Sequence, residues 1–199
     1  MSDILKEIED SWGVQRELWS LEQWKNAAIL CANSYNHLAN LTDDMTTIKQ
    51  EDFIASIADA FQYISYYHPL DYIQALGKAY EREESPAAKD AIAQILTNSR
   101  MCAEGKRPIC QDTGIVVAFV EVGTDVQWES GVDIEALVNE GVHRAYLAPE
   151  NPLRASVVRD PAGKRANTKD NTPCIVSVEL VQGDKVDVQV AAKGGGSEN

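Results

Sequence analysis

The spacing of apolar residues predicts helices in the segment that follows residue 50. From Gln50 onwards, apolar residues recur at three- and four-residue steps until Pro69 interrupts the pattern. A second helix is predicted around residues 73–80 by the same spacing. A third is predicted to begin at Ser85-Pro86, because a hydroxyl N-cap followed by proline at the first helical position is a helix start signal. We interpret these three helices as scaffold.

Beyond Pro108 the period of the apolar pattern changes from helical to a two-residue alternation. Residues 115–122 are typical of a buried strand, and one further amphipathic helix is predicted over residues 134–146. The alternation resumes at 175–192 around Gly183-Asp184, which predicts a β-hairpin with one solvent-exposed face. The predicted fold class is therefore α+β, with an N-terminal helical part followed by a mainly antiparallel sheet and a covering helix.

Residues 1–44 differ in composition from the rest of the chain. They hold three of its four tryptophans, and the apolar spacing predicts one or two amphipathic helices over residues 14–40. We interpret the aromatic side chains as packing anchors, and Met45 as a natural translation start. The predicted division is a helical extension of unknown origin over 1–44 and a main domain over 45–199.

Length and charge exclude several classes of protein. A chain of 199 residues can bury a sizeable core, and its formal net charge of -13 disfavours binding to a phosphate backbone. The longest apolar run is interrupted by Glu121 and falls far short of the roughly 20 residues that a spanning helix needs. The charge and the short apolar run therefore predict no nucleic-acid and no membrane partner. Because the chain opens without a signal-peptide pattern, we also expect a cytoplasmic protein.

The loop over residues 106–114 concentrates reactive side chains. A thiol, an amide, a carboxylate and a hydroxyl occupy four consecutive positions: Cys110, Gln111, Asp112 and Thr113. One interpretation is a tight turn in which the polar side chains bond their own backbone and Cys110 is a small buried hydrophobe. The other is a soft-metal ligand at Cys110, with polar neighbours directed at a bound substrate.

Two further segments could bind an anion. Lys193 precedes the glycines at 194–196, whose backbone N–H groups can approach an anion closely, although a flexible linker has the same composition. Arg154 and the basic pair Lys164-Arg165 could grip a carboxylate, because a guanidinium binds it through two parallel hydrogen bonds. Lone surface arginines commonly have no specific partner, so both interpretations stay open here. His143 is predicted to be a surface residue.

Together these residues carry a family resemblance over residues 45–199. The chain resembles the N-terminal part of the class I, iron–sulfur-dependent fumarases, a region shared with the alpha part of L-tartrate dehydratases. Four segments carry the resemblance: Lys106-Arg107-Pro108-Ile109-Cys110-Gln111-Asp112-Thr113-Gly114, the stretch 151–156, the turn Asn171-Thr172-Pro173, and Ala192-Lys193-Gly194-Gly195-Gly196-Ser197.

The resemblance implies a hydro-lyase that interconverts fumarate and L-malate, or a related hydroxy-dicarboxylate, at a 4Fe-4S cluster. It implies that Cys110 is one of three cysteine ligands of that cluster. Gln111, Asp112 and Arg154 would contact the dicarboxylate, and Lys193 with Gly194, Gly195 and Gly196 would line the same pocket. Asp112 would also take part in proton transfer. A homodimer is expected for the complete enzyme.

The chain departs from the family pattern in its cysteines. The family's other two cluster ligands lie beyond the triple-glycine loop, and Cys31, Cys102 and Cys174 are not in matching motifs. We therefore expect an N-terminal fragment that is inactive alone. One alternative is a catalytically inactive interaction module with a vestigial pocket. Another is a thiol or mononuclear metal protein that uses Cys110 with Cys102.

Overall fold

The computed structural model of the protein describes residues 47–110 and 114–194. The predicted extension over 1–44 and its boundary with the main domain lie outside these residues. The described residues fall into two compact units, one over 67–107 and one over 47–66 together with 108–194. Among them, no helix is long and apolar enough to cross a membrane.

The helices and strands of the described residues confirm the α+β fold class. In chain order they are β1 (Thr47–Ile48), α1 (Gln50–Tyr66), α2 (Leu70–Arg82), α3 (Pro86–Gly105), β2 (Ile115–Gly123), β3 (Gln127–Trp128), α4 (Ile134–Tyr146), β4 (Val158–Arg159), β5 (Ala166–Asn167), β6 (Ile175–Val181) and β7 (Val186–Lys193).

The unit over residues 67–107 consists of helices α2 and α3. Helix α3 begins as predicted, because the Ser85 hydroxyl accepts the N–H of Ala88 at 3.5 Å and Pro86 occupies the first helical position. Helix α3 ends at Gly105 and is capped by Lys106, whose φ of 46° is left-handed. The core of this unit is small and is formed by Ile73 and Ala103, against which Tyr67, Leu70 and Leu96 pack.

The predicted hairpin over residues 175–192 is wrong, because a third strand lies between its two arms. The strand order is β6-β2-β7, with β2 parallel to β6 and antiparallel to β7. The sheet is therefore mixed rather than mainly antiparallel. Residues 182–185 cross the end of β2, where the N–H of Gly123 donates to the Lys185 carbonyl at 2.8 Å. A Cβ on Gly123 would overlap the carbonyl oxygen of Gly183, so this crossing needs glycine.

One face of the β6-β2-β7 sheet is covered by helices α1 and α4. The residues of β2 on that face are all buried, namely Val116, Ala118, Val120 and Val122. The two helices approach closely at Gly141, where a Cβ would lie 2.6 Å from Cβ of Ile57. On the opposite face Phe119 is 51% exposed, so the core of this unit lies on the helix side alone. Helix α4 is the covering helix that the sequence predicted.

Candidate functional site

The loop that carries Cys110 is fixed to the fold on both sides. Before it, the N–H of Ile109 donates to the carbonyl of Ser65 at 2.9 Å, next to the last residue of helix α1. After it, Gly114 has a left-handed φ of 66° and leads into β2. Cys110 is exposed between these two anchors. Gln111 and Asp112 lie outside the described residues, so their predicted roles stay predictions.

The Cys110 loop and the start of the glycine segment are adjacent in space. Ile115 of β2 pairs with Lys193 of β7, which brings Gly114 against the next peptide of the antiparallel strand. A Cβ on Gly114 would overlap the Lys193 carbonyl oxygen and would lie 2.8 Å from the Gly194 nitrogen. The side chain of Lys193 is exposed, and its Nζ donates to the carbonyl of Gly194 at 2.9 Å. Gly195 and Gly196 lie outside the described residues.

Arg154 projects from a segment whose neighbours are held. The Tyr66 hydroxyl donates to the Asn151 carbonyl at 3.1 Å, and Leu153 is only 5% exposed. Arg154 is itself exposed, with Ser156 hydrogen-bonded just beyond it. Arg154 therefore lies at the surface, next to a residue that is anchored in the core.

The basic pair Lys164-Arg165 lies in an exposed turn between β4 and β5. Arg165 has a left-handed φ of 50°, and its Nε donates to the carbonyl of Pro161 at 3.0 Å. This guanidinium is therefore engaged in its own turn. The structure gives no support to the sequence hypothesis that the pair grips a carboxylate.

Asn171 connects the segments that carry the resemblance. Its Oδ1 accepts the N–H groups of Ser156 and Val157 at 2.7 and 3.0 Å, and its Nδ2 donates to the Gly114 carbonyl at 3.0 Å. The side chain is fully buried and the residue has a left-handed φ of 60°, a conformation that asparagine tolerates better than most residues. Asn171 belongs to the Asn171-Thr172-Pro173 turn, and the sequence alone predicted no role for it. A polar residue with left-handed preference beside Thr172-Pro173 was the only signal that could have pointed to it.

Two buried groups surround this connection and stay uncharged near neutral pH. Burial raises the pKa of the Tyr146 hydroxyl to about 12, although its hydrogen bond with Asn171 acts in the opposite direction. Burial likewise raises the pKa of the Cys174 thiol to about 12. The backbone N–H of Cys174 donates to Asn139 Oδ1 at 2.8 Å, so this residue helps to hold the start of β6 against helix α4.

Asp170 is held in its charged form beside the connecting residue. Burial disfavours its charge, but hydrogen bonds from His143 and Thr172 outweigh that effect and lower its pKa to about 2. The distances are 3.0 Å from His143 Nδ1 and 2.8 Å from Thr172 Oγ1. His143 is 46% exposed at its side chain, which agrees with the sequence prediction of a surface residue.

The described cysteines differ sharply in their suitability as ligands. Cys110 is exposed, whereas Cys102 and Cys174 are buried. The thiol of Cys102 lies 3.7 Å from Asn98 Oδ1, within its own helix. Within residues 47–110 and 114–194, no group of three or more His, Cys, Asp or Glu side chains is placed to hold a metal ion. These residues therefore offer one exposed sulfur donor at the Cys110 loop, which is less than a complete cluster site.

Comparison with known proteins gives the class of this chain. The family model of fumarate hydratase (Fumerase) matches residues 54–199. The chain belongs to this family, which confirms the resemblance seen in the sequence.

Individual relatives agree with this assignment. A putative L(+)-tartrate dehydratase subunit alpha from Methanocaldococcus jannaschii is 30% identical over 147 residues, which cover 72% of this chain and 50% of that protein. The anaerobic class I fumarate hydratase of Escherichia coli (strain K12) is 33% identical over 131 residues, 66% of this chain and 23% of the enzyme. The aerobic class I enzyme of the same strain is 38% identical over 119 residues, 59% of this chain and 21% of the enzyme. The chain thus spans about half the length of the first relative and a smaller share of the other two.

Proposed function

We propose that this chain forms part of the active site of a hydro-lyase that adds water to fumarate to give L-malate, or acts on a related hydroxy-dicarboxylate. The observation that carries the proposal is the convergence of separate motif segments on Gly114 and Asn171. The Cys110 loop, the Arg154 segment and the Lys193 segment are each one hydrogen bond or one backbone contact from these two residues. Membership in the fumarate hydratase family supports the reaction class.

The substrate's carboxylates are bound by cations and backbone N–H groups in this proposal. Arg154 presents a planar guanidinium, which can form two parallel hydrogen bonds with one carboxylate. Lys193 adds a second positive charge, and Gly194, Gly195 and Gly196 offer N–H groups unobstructed by side chains. Gln111 and Asp112 contact the same substrate, and Asp112 belongs to the network that moves the proton alpha to a carboxylate.

Cys110 is the residue through which this chain would hold an iron–sulfur cluster. Its exposure in an anchored loop fits a thiolate ligand, whereas burial of Cys102 and Cys174 does not. Three thiolates are needed for a 4Fe-4S cluster with one open iron, so the donor set of the described residues is incomplete. When bound, such a cluster would supply a Lewis acid for the substrate's hydroxyl and carboxylate oxygens.

The proposal is tested with the protein expressed from its full gene and purified without oxygen. Iron and acid-labile sulfide are determined, and turnover is followed by the loss of fumarate absorbance. We expect the C110S variant to lose both iron and turnover, because a hard, weakly acidic hydroxyl replaces a soft thiolate poorly.

The matched control is the C174S variant, which changes a buried thiol whose backbone N–H is held by Asn139. This variant should keep its iron. Full iron content and turnover in the C110S variant would overturn the assignment of Cys110. A wild-type protein that lacks iron and is inactive with fumarate, L-malate and tartrate would instead favour the interaction module.

A further inference from the structure

We propose that Asn171 is a positioning residue of the active site, which sets the Cys110 loop and the Arg154 segment at a fixed distance through its two hydrogen-bonding ends. The inference rests on the proposed function for its catalytic consequence. Its structural part, the connection itself, rests on three hydrogen bonds to backbone atoms of two separate segments.

The two ends of the Asn171 amide have different partners. Oδ1 accepts from two consecutive N–H groups, those of Ser156 and Val157, two and three residues after Arg154. Nδ2 donates to the carbonyl of Gly114, four residues after Cys110. A side chain that joins N–H groups to a carbonyl needs an acceptor at one end and a donor at the other. The uncharged carboxamide of asparagine provides both.

The surroundings make this connection rigid. The side chain of Asn171 is fully buried, so water does not compete for its partners. The left-handed φ of 60° fixes the direction in which its Cβ points, and the following segment is held where Cys174 N–H donates to Asn139 at 2.8 Å. Displacement of Asn171 would therefore break its three hydrogen bonds to backbone groups, one of which lies at the buried Gly114, and this costs free energy.

The position of the connection explains why it would affect catalysis. Gly114 also packs against the Lys193 carbonyl and the Gly194 nitrogen. A shift of Gly114 would therefore move both the Cys110 loop and the Lys193 segment. Reactive groups that bind one small substrate must be held within a fraction of an ångström, and a misplacement of about 1 Å can cost on the order of a hundredfold in rate. Asn171 acts through these segments and is not assigned a contact with the substrate.

The N171D variant separates the two ends of the connection. It keeps the size, the tolerance of a left-handed φ and the acceptor for Ser156 and Val157, but it replaces the donor to Gly114 by an oxygen. While the introduced carboxyl is ionised, two acceptors face each other and the bond to Gly114 is lost. When that carboxyl is protonated, its hydroxyl can donate to Gly114 and restore the bond.

The activity of the N171D variant should therefore depend on pH differently from that of wild type. Burial and the facing Gly114 carbonyl favour the protonated form of the introduced carboxyl, whereas the N–H groups of Ser156 and Val157 favour its ionised form. The balance of these effects sets the pH at which the bond to Gly114 is restored. We expect the variant's kcat/KM relative to wild type to be reduced about tenfold or more near pH 8 and to recover as the pH falls towards about 6. The neighbouring Tyr146 and Cys174 stay neutral over this range, since the pKa of each is raised to about 12. Asp170 stays ionised, its pKa being lowered to about 2, and its partner His143 is common to variant and wild type.

Hydrogen exchange supplies a readout that does not depend on catalysis. Near pH 8 the N171D variant should exchange faster than wild type at residues 115–117, where β2 begins, while Ser156 and Val157 remain protected. The N171G variant, which accepts the left-handed φ but has no side chain, should lose protection in both segments. If the N171D variant does not fold near pH 8, its folding near pH 6 supports the connection, and its failure at both pH values contradicts it.

N139D is the matched control. Asn139 also joins two backbone groups, with Oδ1 accepting from Cys174 N–H at 2.8 Å and Nδ2 donating to the Glu135 carbonyl at 2.9 Å. It makes neither of the bonds to Gly114 and Ser156. We expect the N139D variant to leave hydrogen exchange at residues 115–117 unchanged. Its kcat/KM, divided by that of wild type, should not recover as the pH is lowered.

The outcomes separate the two proposals. A wild-type protein that is expressed from its full gene and turns over none of fumarate, L-malate and tartrate overturns the proposed function, while the exchange pattern still decides the connection. An active wild-type enzyme whose N171D and N139D variants have the same pH profile overturns the positioning role. Unchanged exchange in the N171D and N171G variants overturns the connection itself.

Discussion

The Nδ2 atom of Asn171 lies 3.0 Å from the carbonyl oxygen of Gly114, a contact that spans 57 residues of sequence. The same side chain accepts two N–H groups on its other end. Segments that look like separate motifs in the sequence thus share one buried polar side chain. The Asn171-Thr172-Pro173 turn is therefore bonded to loops that carry more reactive residues.

Gly114 is the other member of this relationship, and its conformation predicts the effect of adding a methyl group. The G114A variant should lose at least about 2 kcal/mol of unfolding free energy, because φ is 66° and the new Cβ would overlap the Lys193 carbonyl. Urea denaturation measures the loss. The G131A variant is the control, since a Cβ there meets nothing within 4 Å, and it should stay within about 0.5 kcal/mol of wild type. Equal stability of the two variants would contradict this account.

The helices and the central strand could be predicted from the sequence because each has a strong local period. Helix α1 runs from Gln50 to Tyr66, and β2 begins at Ile115, both as the apolar pattern predicts. The partners of the strands could not be predicted in the same way. Alternation around Gly183 identifies two strands and a reversal, but the insertion of β2 between them depends on tertiary packing that no local pattern encodes.

For the site, the sequence identified exposed reactive residues and missed the buried one that connects them. Cys110 and Arg154 were predicted from their chemistry, and the structure places both at the surface in anchored segments. Asn171 has no unusual chemistry, and its importance comes from three backbone partners that are remote in sequence. Such a role depends on the fold, so it becomes visible only with coordinates.

Asp170 predicts an acid-dependent contribution to stability. Its pKa is lowered to about 2 in the folded protein, below the ordinary value of 3.8 for an aspartate, so folding favours its ionised form. The resulting stabilisation, about 2 kcal/mol, is fully present above pH 4 or so and is lost as the pH falls from about 4 through about 2. The D170N variant should therefore be less stable than wild type at neutral pH, with the difference vanishing near about pH 2. Denaturation curves at several pH values measure it.

The control for this prediction is the D184N variant, whose carboxylate is exposed between β6 and β7. It should leave the unfolding free energy of the protein unchanged over the same pH range. A D170N protein as stable as wild type at neutral pH would show that the hydrogen bonds from His143 and Thr172 do not outweigh the burial of the charge.

If the proposed function is correct, a change at Asp112 should lower turnover without lowering the iron–sulfur content. The D112N variant keeps the shape of the side chain and loses its charge, so proton transfer is impaired while Cys110 is untouched. We expect iron and sulfide to remain at wild-type levels and kcat to fall by about a hundredfold, within the range that general acid–base catalysis contributes. A kinetically silent variant would remove Asp112 from the proton-transfer network.

Arg154 predicts a loss of substrate affinity that depends on the shape of its charged group. The R154K variant keeps the positive charge but replaces the planar fork by a compact ammonium, which cannot form two parallel hydrogen bonds with a carboxylate. We expect the affinity for fumarate and L-malate to fall about thirtyfold, equivalent to about 2 kcal/mol, with kcat changed less and iron content retained. The R159K variant, altered at an exposed arginine of β4, is the matched control and should bind both substrates as wild type does. Steady-state kinetics on the two variants decide the matter, because equal KM values would mean that Arg154 is an ordinary surface arginine despite its anchored segment.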